Sequence, residues 1–333
     1  RAAACRVVGA AASFYADADA SAFFESEAET RASLRSDATL LVAAMRDGAK
    51  SVRLPASWAV ANVCGSAAAR AARFTTEKER GEACLDDETA SLLAEACVDA
   101  ATKEGDKVRA NAARALGHVL AAADLSLART RDKACVAARL QDITQALMSC
   151  LATGNAKTQW NACRAVRELF ANKTIAIESA SACDASMTST ALRMCLMLVR
   201  DARHFKLRAH AAATLAAPQS REAFGNAYAD VLSVVATAAE QTFVLTTETS
   251  VTSVTSVTET NVTVTPHDPD ALRHAPRLAA RLAATLLRVA ALGRAEDAAS
   301  ARDALLKKRG TFRRVALEAR RAVEKAAARE RSM

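Results

Sequence analysis

The sequence predicts an all-α fold, an α/α superhelical solenoid in which similar pairs of helices stack in order. Three observations carry this expectation. The 333 residues are about half apolar, only 4% aromatic, rich in Ala, and hold ten Gly and five Pro. An all-β sandwich or barrel needs more turn residues and more β-branched and aromatic strand residues than that. Four stretches align on a shared basic start, and apolar residues follow in each at helical spacing. Each is also preceded by an apolar segment and a short polar turn.

The elements follow in chain order. Arg1-Ala2-Ala3-Ala4-Cys5-Arg6-Val7-Val8-Gly9 reads as one second (B) helix of a pair. The next four B helices open on Lys50-Ser51-Val52-Arg53, Lys107-Val108-Arg109, Lys157-Thr158-Gln159 and Lys206-Leu207-Arg208. Val52, Val108, Thr158 and Leu207 lie 56, 50 and 49 residues apart. Ala56, Ala112, Ala162 and Ala211 fill one column, and Val60, Leu116, Val166 and Leu215 the column four residues on, joined by Val8. That i, i+4 spacing is one face of a helix, and small residues in the first column let helices approach closely. The first (A) helices are Ala38–Met45, Ser91–Ala101, Ile143–Ala152 and Thr190–Val199. Their turns are Arg46-Asp47-Gly48, Lys103-Glu104-Gly105-Asp106, Thr153-Gly154-Asn155 and Arg200-Asp201-Ala202-Arg203. A helix, tight turn, basic residue and second helix describe HEAT/armadillo-like repeats, whose period is about 40–47 residues. Loops such as Glu77–Glu88 lengthen it here.

The array of about four to five units is expected over residues 1–240. Asn226–Gln241 reads as a further A helix, and Ala271–Leu292 as a B helix with Leu278, Leu282, Leu286 and Val289 in register. Between them the low-complexity Thr/Val/Ser tract, residues 242–266, reads as a disordered loop. Residues 269–333 then hold the last repeat helix and a basic helix, Asp297–Arg329, expected either to cap the array or to fray.

Charge is uneven. Arg273 to Arg331 holds 16 Lys/Arg against 6 Asp/Glu, a net of +10, whereas the residues before it hold 29 basic and 31 acidic. Such a segment attracts nucleic acid or acidic partners, or is simply a solvated helix face. The nine Cys include no CxxC pair and none lies near a His at zinc-ligand spacing. They read as reduced, small apolar side chains, so an intracellular setting, cytoplasmic or nuclear, is expected. No apolar run suits a membrane span. The chain opens on Arg1 without a secretory h-region, as expected of the interior of a longer product. The sequons at Asn172 and Asn261 are then chance matches.

Catalytic patterns are missing from the sequence. There is no G-x-x-x-x-G-K-[ST], G-x-G-x-x-G or G-x-S-x-G run. A di-iron centre of the kind some helical-repeat hydroxylases carry needs repeated His-Glu pairs, and no His-Glu dipeptide occurs. His118 and His210 fall in different columns. Cys163 occupies the packing column of Ala113 and Ala212. Trp58 and Trp160 also fall in different columns: Trp58 shares a partly exposed column with Arg114 and Arg164, and Trp160 aligns with Ala110 and Ala209. Inter-repeat packing is expected of both rather than a stacking platform. No cofactor, metal or enzymatic activity is expected.

The strongest binding signal is a basic and amide ladder at the starts of the B helices. Lys50, Lys107, Lys157 and Lys206 line up, as do Arg53, Arg109, Gln159 and Arg208, followed by Asn111, Asn161 and His210. Equivalent positions of successive repeats lie side by side along one surface, and B helices of this class generally line the concave face. Two readings stand. The ladder is a groove for an extended acidic or polar peptide, or its arginines pair with turn residues of adjacent repeats and set the stacking.

The motifs also carry a resemblance. Arg1–Arg6, Val52-Arg53 with Trp58 and Asn62, Lys107–Gly117, Gln159–Cys163 leading to Phe170-Ala171-Asn172, and Phe205–Arg208 followed by Ala211–Leu215 occur in order. In this the chain resembles the C-terminal part of the HEAT repeat-containing protein 6 family, over about residues 1–240. The resemblance implies a solenoid with no established enzymatic activity and, in the family, a longer N-terminal region of armadillo type. The Thr/Val tract and the basic end depart from it. The expected function is a non-catalytic scaffold binding protein partners along the concave face. The alternative is nucleic-acid association through the basic C-terminal segment.

Overall fold

A computed structural model describes residues 1–12, 27–72, 85–123, 135–172, 185–251, 269–306 and 312–331. All regular structure among them is helical, as the composition requires. The chain divides into two compact units, Arg1–Ala191 and Leu192–Met333.

In the first unit, α1 (Ala2–Ala11) is a B helix. Hairpins follow: α2 (Glu27–Met45) with α3 (Lys50–Ala71), and α4 (Asp87–Lys103) with α5 (Asp106–Ala122). A single turn, α6 (Cys135–Ala138), leads into α7 (Leu140–Thr153), which pairs with α8 (Ala156–Ala171). Local chemistry sets these boundaries. The Asp86 carboxylate accepts from the Thr89 backbone N–H ahead of α4, and the Asn155 side chain accepts from Thr158 N–H ahead of α8. Each A helix touches the next A helix, and each B helix the next B helix. The B layer is the tighter of the two.

Small residues explain that tightness. Ala56, Ala112, Ala162 and the column of Val60, Leu116 and Val166 are buried. Gly9 and Gly117 share the position after Val8 and Leu116. A β-carbon on Gly117 would stand 3.0 Å from the Ala165 Cα, and one on Gly9 would stand 2.8 Å from the Ala59 Cα. Glycine there sets how close α5 and α8, and α1 and α3, can come.

The second unit continues the alternation. After the C-terminal part of α9 (Ala185–Asp201) come α10 (Phe205–Leu215), a 3-10 turn at Arg221–Ala227, α11 (Tyr228–Val251) and α12 (Pro269–Ala290). A second 3-10 turn, Ala295–Asp297, leads to α13 (Ala298–Leu306) and α14 (Arg313–Arg331). α11 pairs with α12 and α13 with α14, while α10, α12 and α14 pack in succession. The expected single basic helix over Asp297–Arg329 is therefore corrected to a further helical pair. Its apolar face, Ala316, Ala319, Val323 and Ala327 on α14, is buried.

The Thr/Val/Ser tract is also partly corrected. α11 runs on through Val251, so residues 242–251 are helical, and the rest of the tract lies outside the described residues. Tertiary packing overrides β propensity there. Thr242 is buried and donates to the Ala238 carbonyl, while the Phe243 ring lies 5.6 Å from that of Phe312. An ion pair between the half-buried Arg221 and the buried Asp297 pins the two 3-10 turns together. Arg221 donates to both carboxylate oxygens of Asp297 at 3.0 and 2.8 Å and to the Gly225 carbonyl at 2.6 Å, with its guanidinium 5.0 Å from the Tyr228 ring centroid.

Candidate functional site

The predicted ladder resolves into three different roles. The column of Arg53, Arg109, Gln159 and Arg208 braces each hairpin. Arg53 donates to the carbonyls of Asp47 and Gly48, Arg109 to Ala101, Gln159 to Leu151 and Arg208 to Val199, at 2.8 to 3.0 Å. These acceptors are carbonyls at the ends of the A helices, where no helical N–H is left to pair with them. Burial lowers the Arg208 pKa. The first-unit members also reach forward to the next turn. Arg1 lies 3.0 Å from the Asp47 carboxylate, Arg53 Nε lies 2.7 Å from Glu104, and Arg109 donates to Thr153 at 2.9 Å. Arg1, Arg53 and Arg109 thus touch the turn of the next repeat, and Gln159 and Arg208 brace their own hairpins.

The asparagines sit deeper. Asn111 and Asn161 are buried, and their amides are committed across the repeat boundary: Asn111 donates to the Ser57 hydroxyl at 3.1 Å and Asn161 to the Ala110 carbonyl at 2.8 Å. This placement commits an amide N–H of each to an oxygen of the preceding repeat, a structural role beside the expected peptide clamp. Asn172 repeats the device, donating to Leu120 and Ala123. His210 is half-buried on α10. The lysines differ: Lys107, Lys157 and Lys206 all stay exposed at their helix starts.

Lys107 and Lys157 lie seven residues before Arg114 and Arg164, two turns along the same helix faces. The partly exposed column expected for Trp58 is observed and extends to Arg6: Arg6 and Arg164 are exposed, Trp58 is 36% exposed and Arg114 half-buried. The Trp58 ring also fills the space over Gly9 of α1, the inter-repeat packing expected of it. Arg114 donates through Nη2 to the Trp58 carbonyl at 3.4 Å and to Asn62 Oδ1 at 2.8 Å, and Asn62 in turn donates to the Gly9 carbonyl at 2.9 Å. Three successive B helices are thus tied through one exposed line.

A cleft of about 130 Å³ opens beside this line between α5 and α8. Arg114, Gly117, His118, Arg164, Arg167 and Glu168 line it, with Asn161 at its floor. Arg167 and Glu168 pair with each other at 2.6 Å. Arg114 and Arg164 have no carboxylate partner among the described residues, and Arg114 Nε is buried without an acceptor. Burial and then the nearby Arg164 lower the Arg114 pKa. Burial, Arg164 and Arg114 together push the His118 imidazole down to about 4, so it is neutral at pH 7. The cleft thus combines two uncompensated guanidinium groups, a neutral imidazole and one internal ion pair. The sequence offers His118 only as a metal-ligand candidate, set aside by its column, and gives no reading for Arg167 or Glu168. The i, i+4 spacings Arg114–His118 and Arg164–Glu168 were the available signal.

Cysteines 5, 64, 97, 150, 163 and 195 are buried and form no disulfide among the described residues. Burial pushes the Cys64 thiol up to about 12 and also raises Cys97 and Cys150. Cys163 lies in the packing column as expected, fully buried. No helix among the described residues is long and apolar enough to cross a membrane.

No protein-family model matches the chain. Among solved structures the chain is similar to the crystal structure of an engineered protein, a Northeast Structural Genomics Consortium target. The TM-score is 0.53 at 16% identity, over 87% of this chain and 98% of that one. At that identity the likeness speaks to the helical-repeat fold alone.

Proposed function

We propose that the chain is a non-catalytic scaffold that binds an extended acidic segment of a partner protein along the exposed B-helix face of its first unit. The observation that carries this reading is the line of Arg6, Trp58, Arg114 and Arg164 on four successive B helices, with Lys107 and Lys157 two turns away. Guanidinium groups recognise carboxylates with fixed geometry, and an indole supplies contact area at small entropic cost. Equivalent positions on stacked helices repeat at a regular step, which suits an extended ligand. The resemblance to the HEAT repeat-containing protein 6 family, with no established enzymatic activity, supports the non-catalytic part of the reading. Fluorescence anisotropy with a labelled Glu/Asp-rich peptide tests it. Binding is expected to be salt-sensitive and to weaken about tenfold or more in R114Q/R164E. Equal binding of an uncharged peptide of the same length would sink the reading.

One observation favours a second reading, nucleic-acid binding by the basic C-terminal segment. Arg273, Arg277 and Arg281 are exposed on α12 at four-residue spacing, one helix face, without an ion pair among the described residues. Binding of single-stranded DNA with a steep salt dependence, abolished by changing these three to Gln, is the outcome it requires.

A further inference from the structure

The cleft between α5 and α8 is more specific than an acidic-segment groove needs. We infer that the cleft lined by Arg114, His118 and Arg164 is a site for a phosphate monoester, carried by a phosphorylated serine or threonine of the bound segment. This deepens the scaffold reading by naming what one point of the B-helix face takes.

Charge comes first. Glu168 is neutralised within the cleft by Arg167, at 2.6 Å. Arg114 spends its hydrogen bonds on a carbonyl and an amide oxygen, both uncharged. Arg164 is exposed and without a carboxylate partner among the described residues. Two positive charges therefore face one small space with no counter-charge. A carboxylate would balance one of them, whereas a phosphate monoester carries close to two negative charges at pH 7.

Geometry and size agree. A space of about 130 Å³ is large enough for a phosphoryl group. The Arg114 guanidinium is held in place by two hydrogen bonds, so its orientation is fixed before a ligand arrives. Arg164 comes from the neighbouring helix, so the ligand bridges two repeats. His118 also lines the cleft, and its ring lies against Gly65 of α3, where a β-carbon would stand 3.4 Å from Nε2. The groups facing the imidazole are Arg114 on its own helix, Arg164 on α8, the Arg167–Glu168 pair on α8, and uncharged Gly65 on α3. Burial first, and then Arg164 and Arg114, keep the ring neutral when the cleft is empty. An anion seated beside the arginines offsets their part of that shift, so the pKa of the ring rises.

The experiment is an NMR titration of the His118 ring in the full chain with inorganic phosphate, O-phosphoserine and acetate. O-phosphoserine and phosphate are expected to shift the ring signals and raise its pKa from about 4. Acetate is expected to bind about tenfold more weakly, and R164Q to weaken O-phosphoserine by about tenfold or more at an unchanged melting temperature. An unmoved His118 signal, or R164Q binding as tightly as the parent, overturns the inference. Equal affinity for acetate and phosphate, with the acidic peptide still bound, overturns the phosphate site and leaves the scaffold reading standing. O-phosphoserine binding without any acidic-peptide binding overturns the scaffold reading alone.

Discussion

The side-chain amide of Asn161 donates to the carbonyl oxygen of Ala110 at 2.8 Å, joining two B helices that lie 51 residues apart in sequence. A residue that sequence columns offer as a ligand contact is thus a bolt between repeats. Asn161→Ala removes this inter-repeat bond, while the Ala110 carbonyl keeps its helical partner, and is expected to cost about 0.5–1.5 kcal/mol. Urea denaturation checks this. A variant with unchanged midpoint and weakened acidic-peptide binding would return Asn161 to the ligand surface.

Arg53 holds more than its ion pair. Its Nε lies 2.7 Å from Glu104, its Nη2 hydrogen bonds Glu104 at 3.3 Å, and Nη1 donates to the Asp47 and Gly48 carbonyls. Glu104→Ala keeps the two carbonyl bonds and is expected to lose no more than about 1 kcal/mol. Arg53→Ala loses both functions and is expected to cost about 1–3 kcal/mol. Equal losses in the two variants would show that the turn contacts contribute nothing.

Gly117→Ala tests the close approach of α5 and α8. Helix propensity favours Ala by about 1 kcal/mol. Against this, the new carbon would meet the Ala165 Cα at 3.0 Å and force the helices apart. A net loss of about 1–2 kcal/mol is expected. Gly48→Ala, with nothing within 4 Å, is the control and is expected to change stability by less than about 0.5 kcal/mol. A stabilised Gly117→Ala protein would contradict the packing.

His118 predicts an acid-sensitive component of stability. The unfolded ring takes up a proton near its ordinary value of 6.5, and the folded ring only near 4. Below 6.5 the unfolded state therefore binds more protons, and stability falls as pH drops through this window. Between pH 7 and pH 4 the loss is about 1–3 kcal/mol, and His118→Gln removes that share of it. Identical pH profiles for the two proteins would refute it.

In the second unit, Asp297 is buried against Arg221. Burial alone pushes its carboxyl up, but hydrogen bonds from Arg221 and the Arg294 backbone outweigh this and hold it below the usual carboxylate range. Its contribution is present at neutral pH and lost as pH falls through that lowered value. Asp297→Ala removes two of the hydrogen bonds of the half-buried Arg221, which keeps the Gly225 carbonyl and the nearby Glu296, and is expected to cost about 1–3 kcal/mol, read by thermal melting.

Periodicity made the core legible: Ala56, Ala112, Ala162 and Ala211 are all buried where one helix face required them. It also placed Trp58, Arg114 and Arg164 on a partly exposed line. What it did not settle was the partner of each polar side chain. Arg109 and Arg164 are both arginines on B helices, yet one faces a carbonyl left over by its A helix and the other faces solvent. That difference depends on the turn geometry and on the register between repeats. The helix through Val251 was hidden for a related reason, since Thr and Val favour strands until burial of Thr242 and the Phe243–Phe312 contact decide otherwise.

The joints between repeats have a consequence for how such a chain can change. Asn62, Asn161 and Asn172 donate forward-repeat amides to main-chain oxygens of Gly9, Ala110, Leu120 and Ala123. A main-chain oxygen is present whatever residue type carries it. One unit can therefore be duplicated, deleted or exchanged for a neighbour without a matching substitution in the unit before it. Each repeat brings its own fastening, and the surface it offers to ligands is left to vary independently.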